Sequence, residues 1–390
     1  MKKFIQRIFK IKATPIQWRE ELKKESPLFV CLVLIFILLF LPTGYEEAQN
    51  YRTSDHCRVE VLRVDNDSII DTGLVRSGEQ ECKVKLLNGK FKGKTVWGTN
   101  QLQGSLESDK LFQVGDIALA TVDYQGEDIL YVNMVDHYRI NVELILAGIF
   151  VLFLVLFAGR TGLRAVLSFV LTVLCIWKVL VPWCLNGNNP IYIGLMLTVF
   201  LIIVIISLVY GFDKRTAAAT LGSILGVLVT CILGILFTDV FKIHGAVMSY
   251  SESLLYSGFA HLNLTQIFMA SIFIGSSGAM MDLAVDITSA IYEVVANCPE
   301  ISKKEAIKSG MNVGRAAMGT MTTTLLFAYS GGYIALLMVF MAQGTPTLHI
   351  LNYKYVAAEI LHTIVGSFGL VTVAPFTAIV AGILLTKKES

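Results

Sequence analysis

The run Gly275-Ser276-Ser277-Gly278-Ala279-Met280-Met281-Asp282 continues to Asp286 and Glu293. On a helix turning about 100° per residue, Ser271, Gly275, Gly278, Asp282, Asp286, Ser289 and Glu293 fall within about 40° of one line. The stripe changes from small residues to acids. Small residues let a second helix approach closely. Carboxylates inside an apolar span are costly and point to a role. Two readings stand for Asp282 and Asp286: proton or cation ligands in a lined pathway, or the wet face of a helix leaving the membrane. Glu293 fits the second. The opposite face, Leu283, Ile287, Ile291 and Val294, suits both.

A second segment places Asn312, Arg315, Gly319, Thr322, Tyr329 and Ser330 on one helical side. Tyr329-Ser330-Gly331-Gly332 falls near mid-membrane, where paired glycines weaken a helix. A break there exposes backbone groups that are tolerated only against protein or a wet cavity. This pattern is that of the broken helices of secondary transporters; a flexible or closely packed helix is the alternative. Arg315 alone reads as an orientation signal. A third segment aligns Glu359, His362, Gly366 and Gly369, with Glu359 and His362 near the outer surface. They would make a proton relay or a polar interfacial end. Gly222 and Gly226 form a Gly-x-x-x-Gly packing notch, and Lys178 is placed to snorkel beside Trp177 and Trp183.

Absent motifs narrow the chemistry. There is no P-loop, no His-Glu-x-x-His and no Gly-x-Ser-x-Gly. His244, His261 and His349 lack metal-site spacing. The expectation is therefore no enzyme, no cofactor and no metal.

The elements that carry these residues follow from composition. The chain has 390 residues, 54% hydrophobic and only 16% charged, with mean hydropathy +0.64. Soluble domains carry about 25% charged residues. The deficit excludes a disordered chain, a coiled coil and a strongly basic nucleic-acid binder. The net charge of +2 names no partner beyond the lipid bilayer. Spans need roughly 20 apolar residues. Eight are expected: 28–41, 142–158, 163–181, 191–210, 216–237, 264 to about 284, about 316–341 and 355–385. The first is short and bounded by Pro27 and Pro42.

Residues 43–141 differ in kind. Short alternating runs (57–64, 81–87, 94–97, 116–123 and 129–135) are separated by turn signals such as Asn88-Gly89, Gly115-Asp116 and Gly126. That is the pattern of a small all-β barrel of the OB or SH3 type. The fold class is thus an α-helical polytopic membrane protein of about eight spans with an inserted extracytoplasmic β domain. Its parts are a basic cytoplasmic tail (1–27), a first transmembrane helix (28–41), the β domain (43–141) and a seven-helix transmembrane domain (142–386).

Lys and Arg mark cytoplasmic loops. The basic lead, Arg160 and Arg164, Lys214 and Arg215, Lys303 to Arg315, and Lys387-Lys388 all fall inside if both termini are inside and the β domain is outside. The first span reads as an uncleaved anchor; a cleaved signal peptide is the alternative. Residues 1–24 fit either an amphipathic membrane-surface segment or a solvated tail. Seven cysteines are too few for a disulfide scaffold, although Cys57 and Cys82, in an oxidising space, are a candidate bridge.

The run from Gly275 through Asp282 to Ser289, the segment Gly314-Arg315-Ala316-Ala317-Met318-Gly319-Thr320-Met321-Thr322, and Ala328-Tyr329-Ser330-Gly331 form one set of motifs. Gly89, Lys92-Gly93-Lys94, Gly104, Leu106, Asp109, Lys110 and Gly115-Asp116 form another. Together they resemble the YibE/F-like bacterial membrane proteins, from about residue 55 to 385. The resemblance implies this architecture in a bacterial plasma membrane. It supplies no activity and no catalytic residue. The leading expectation is a secondary permease or exporter with a pathway lined by the sixth to eighth spans, using a proton or cation. The alternative is a non-transporting accessory (a sensor, immunity or assembly factor) that meets a membrane or envelope protein through the β domain.

Overall fold

The structure is a computed structural model that describes residues 15–45 and 54–386. Of the segment 1–24, read as amphipathic or as a solvated tail, residues 1–14 and the side chains of 15–24 lie outside the described residues, as does the closing Lys387-Lys388 pair. The chain divides into two compact units, Gly44–Leu156 and Met1–Thr43 with Phe157–Ser390.

The first unit is built on six strands, β1 (Ser54–Asp65), β2 (Ile69–Asp71), β3 (Arg76–Leu86), β4 (Thr95–Gln103), β5 (Ile117–Gln125) and β6 (Asp128–His137). They are ordered β1-β5-β6-β4-β3-β2, and an added β1–β3 pairing closes five of them into a barrel. Only β4 and β6 run parallel, meeting at Thr99 and Asn133. Gly98 permits that approach, because a Cβ there would sit 3.0 Å from Val132 Cγ1. Strand alternation sends Val59, Val61, Val84, Leu86, Ala118, Ala120, Val122, Val132 and Met134 inward, with Phe91 and Phe112 from the loops. The period of two that announced the strands is the period that fills the barrel. The three-residue β2, too short for such a pattern, was not foreseen.

Cys57 and Cys82 both point into this core but are free thiols, which corrects the expected bridge. Cys82 faces Val64 across β1–β3, whereas Cys57 faces Ala120 on β5. Cys57 and Val64 are seven residues apart on β1, or about 20 Å along an extended strand. A disulfide requires Cα atoms within about 7 Å. Burial pushes each thiol up to about 11.

The helices are α1 (Pro15–Phe40), α2 (Ile140–Ala158), α3 (Arg160–Cys175), α4 (Val181–Leu185), α5 (Pro190–Tyr210), α6 (Lys214–Val240), α7 (Ser251–Tyr256), α8 (Leu264–Asn297), α9 (Lys303–Ser330), α10 (Ile334–Ala342), α11 (Thr347–Asn352) and α12 (Lys354–Leu385). A π-helical turn at Ile176–Leu180 joins α3 to α4. Among the described residues, seven helical stretches are long and apolar enough to cross a membrane, and this is a multi-pass membrane protein. The expected first span is a shorter apolar stretch, Glu25–Phe40. Those 16 residues reach only about 24 Å against a hydrocarbon core of about 30 Å. Pro27 does not bound the helix but lies within α1. The apolar stretch packs on α3 and α5, with the Cys31 thiol 3.9 Å from the Leu167 carbonyl.

Local chemistry starts the long helices. Asn189 and Asp213 cap α5 and α6, Asn263 accepts the Gln266 N–H at 3.0 Å, and Ser302 with Glu305 forms a capping box on α9. Glycines then set the packing around α12. A Cβ on Gly222 would lie 2.8 Å from Thr377 Cα, on Gly226 3.0 Å from Val373 Cβ, and on Gly366 3.1 Å from Ser276 Cβ. Gly314 abuts Ala374 and Ile287, while Gly369 abuts Met280 and Thr230. The order of these contacts makes α12 parallel to α8 and antiparallel to α6 and α9. Backbones approach because no side chain intervenes, which substitutes for the hydrophobic drive that lipid removes.

Candidate functional site

Helices α8, α9 and α12 converge at Gly275. A Cβ there would meet Tyr329 Oη at 3.0 Å and His362 Nε2 at 3.5 Å. The rings of Tyr329 and His362 stack, with centroids 4.3 Å apart and planes inclined by 26°. Phe268 meets His362 edge-on, with ring centroids 6.3 Å apart. One turn earlier on α12 lies Glu359. The buried atoms Tyr329 Oη, His362 Nε2, Glu359 Oε1 and Thr363 Oγ1 have no hydrogen-bond partner among the described residues. Immediately beyond Tyr329 and Ser330 the α-helix gives way to a 3-10 turn at Gly331–Tyr333 before α10. Gly331 and Gly332 have open space where a Cβ would stand. A helix break, two ionisable side chains and a phenol thus share one region.

Sequence had placed Glu359 and His362 near the outer surface. In the structure His362 is level with Gly275, 11 residues into α8, or about 16 Å from the helix start. The contact with α8 decides what His362 meets, and spacing along α12 alone could not.

The other candidates lie elsewhere. Asp282 and Asp286 are exposed on α8 and form no hydrogen bond or ion pair among the described residues. Arg315 is exposed on α9. A Cβ on Gly314 would lie 3.1 Å from Ile287 Cδ1, which sets Arg315 level with Asp286. Thr322 is half-buried and donates to the Met318 carbonyl at 2.8 Å. Gly278 and Gly319 face open space, so the structure does not use them for close packing. The packing residues that sequence reasoning passed over include Gly310, Gly314 and Gly382, which abut Ile291, Ala374 and Ile307. Gly310 and Gly314 carried the same four-residue signal as Gly222 and Gly226.

In the β unit a second polar construction escaped the sequence. Gln80 and Asn100 face each other across β3 and β4 and are fully buried. The Asn100 amide donates to Gln80 Oε1 at 3.1 Å and to the Lys110 carbonyl at 2.6 Å. Gln80 donates to Asn66 Oδ1 at 2.9 Å and to the Phe112 carbonyl at 3.0 Å, and accepts the Phe112 N–H at 2.9 Å. The long loop after β4 is thereby tied to the barrel interior. Asp109 organises its tip by accepting the N–H groups of Gln103, Gly104 and Ser105 at 2.8–3.1 Å. Those bonds, that of Gln103 first, hold its carboxyl below the usual carboxylate range.

No curated protein and no solved structure matches the chain. Two family models do. The N-terminal domain of the YibE/F family matches residues 55–137, the barrel, and the YibE/F-like protein model matches residues 146–387, the helical region that carries the Tyr329–His362 cluster. With both its barrel and its helical region accounted for, the chain belongs to the YibE/F-like protein family.

Proposed function

We propose that the protein is a secondary permease or exporter whose pathway runs between α8, α9 and α12. The observation that carries this reading is the Tyr329–His362–Glu359 cluster, whose buried polar atoms lack partners beside a broken helix. A buried polar group left unsatisfied costs about 1–3 kcal/mol. Several in one place are explained if a transported solute, water or proton completes them in turn. His362 and Glu359 supply exchangeable protons, Tyr329 a hydroxyl that donates or accepts, and the glycine break the hinge. Asp282, Asp286 and Arg315 form the charged mouth of the same route. The protein sits in a bacterial plasma membrane with both termini cytoplasmic and the barrel outside, the orientation favoured by its Lys and Arg.

The test is proton flux in proteoliposomes carrying an internal pH dye and driven by an imposed potential. Wild-type protein acidifies the lumen. His362→Gln and Glu359→Gln each abolish the flux, and Asp282→Asn with Asp286→Asn reduces it. Equal flux in all variants sinks the reading.

The barrel favours a second reading. Its closed order, β1-β3-β4-β6-β5, supports reading it as an OB-type barrel, a common ligand-binding scaffold. A groove of about 450 Å³ lies on its outer surface, lined by His56, Gln101, Gln103, Lys110, Thr121 and Asn133 among others. Amides at such a groove suit the backbone of an extended peptide from an envelope protein, and the chain then acts as an accessory or sensor. Deleting residues 54–137 separates the two: an intact cellular phenotype eliminates the accessory reading.

A further inference from the structure

We infer that the protein has a binding site for a phosphate oxyanion, of the kind carried by an anionic lipid headgroup, where α1, α3, α5 and α6 meet. A cavity of about 340 Å³ is lined there by Glu25, Arg160, Arg164, Val209, Tyr210 and Arg215.

Three arginines converge on this cavity from the N-terminal ends of two long helices. Arg160 opens α3, Arg164 stands one turn further on, and Arg215 is the second residue of α6. A helix N-terminus carries partial positive charge, so cations are disfavoured there and anions favoured. The α3 N-terminus has no side-chain cap. Stability alone argues against these placements. The rule that basic residues mark one side of a membrane accounts for arginines in these turns, but not for their convergence on one cavity.

The site is pre-formed. Tyr210 Oη donates to the Val285 carbonyl at 2.6 Å, and the ring is held between α6 and α8. Arg215 lies over Tyr210 at 5.1 Å and over Tyr292 at 4.2 Å, with its Nε on Asp213 at 2.8 Å. Arg164 donates to the Leu208 carbonyl at 3.2 Å. Glu25 stands 3.2 Å from Arg164 and 3.8 Å from Arg160, and among the described residues it is the one carboxylate that lines the cavity, while Asp213 pairs with Arg215 beside it. Guanidinium planes suit phosphate oxygens in paired hydrogen bonds. Glu25 holds the place an oxyanion would take, so the anion would compete with it. Basic pockets between helices at a membrane surface bind lipid phosphates on these terms.

The experiment is affinity measurement by native mass spectrometry on the delipidated full chain in detergent. The probes are phosphatidylglycerol, zwitterionic phosphatidylcholine, and inorganic phosphate at matched ionic strength. Phosphatidylglycerol is expected to bind more tightly than phosphatidylcholine. Arg160→Gln should weaken it about fivefold and Glu25→Gln should strengthen it, from the usual contribution of one charge near a lipid surface. A site for lipid leaves inorganic phosphate without effect, whereas a site for free phosphate shows arginine-dependent phosphate binding; both support the oxyanion site. Arg164→Gln also removes a bond to the backbone, so the exposed Arg160 gives the cleaner result. The inference is overturned if Arg160→Gln and Glu25→Gln leave every probe unchanged, or if phosphatidylglycerol and phosphatidylcholine respond alike and inorganic phosphate shows no arginine-dependent binding.

Discussion

The ring of Tyr329 on α9 lies against the ring of His362 on α12, 4.3 Å between centroids. The stack exists because Gly275 on α8 offers no side chain beneath it. Three helices therefore meet at a point where two aromatic rings, not aliphatic packing, fill the space. Stacked pairs contribute about 0.5–1.5 kcal/mol beyond the area they bury.

Tyr329→Phe keeps the ring and removes a hydroxyl that has no partner. It is expected to leave detergent stability unchanged or raised by up to about 1 kcal/mol, since an unsatisfied buried group is lost. Under the permease reading the same variant loses proton flux. Thermal unfolding and flux measured on one preparation check both; loss of stability without loss of flux would assign Tyr329 a packing role only.

Gly222→Ala and Gly226→Ala insert a methyl against Thr377 and Val373. Each should cost about 1–3 kcal/mol, the usual range for overpacking. Gly278→Ala and Gly319→Ala face open space and should stay within about 0.5 kcal/mol of wild type. Urea or thermal unfolding in detergent distinguishes the two pairs.

Gln80→Leu leaves Asn100, Asn66 and the Phe112 N–H without their partner in the barrel interior. The expected cost is about 1–3 kcal/mol, with faster amide exchange at Lys110 to Phe112. Unaltered exchange there would show that the loop does not depend on the amide pair.

Asp109 gives a pH dependence of known sign. Its carboxyl is held below the usual range in the folded loop by backbone N–H groups, so its contribution is present above that range and lost as pH falls through the lowered folded value. Amide protection at Gln103, Gly104 and Ser105 should therefore persist to a lower pH than the ordinary carboxylate value of about 3.9 and collapse below it. Asp109→Asn removes the charge and should weaken that protection at neutral pH.

Cys57 and Cys82 should remain reduced and unreactive in the folded chain. Burial raises both thiols, and the thiolate is the reactive form. Maleimide labelling monitored by intact mass should leave both untouched until the barrel is unfolded. A mass two protons lighter under mild oxidation would restore the bridge.

How much was legible follows from which forces are local. Apolar length and period announced the long helices and the five barrel strands, because a span must cover the hydrocarbon core and a half-buried strand must alternate. Caps such as Asn263 and Ser302 act within one turn and were readable in principle. Partnership was not. The Gly275 contact sets His362 beside Tyr329, 33 residues earlier in the chain, which spacing along its own helix does not reveal. Cys57 and Cys82 were a candidate bridge because an oxidising space would favour one, but register separates them. Gln80 and Asn100 read as ordinary strand polar residues until the barrel closed around them. The sequence by itself determined which segments lie in lipid and which alternate around a barrel, since those depend on each residue's own transfer free energy. Only the tertiary structure decided which polar groups meet, because a buried amide, phenol or guanidinium is stable only against a specific partner, and that partner is chosen by helix approach and strand register.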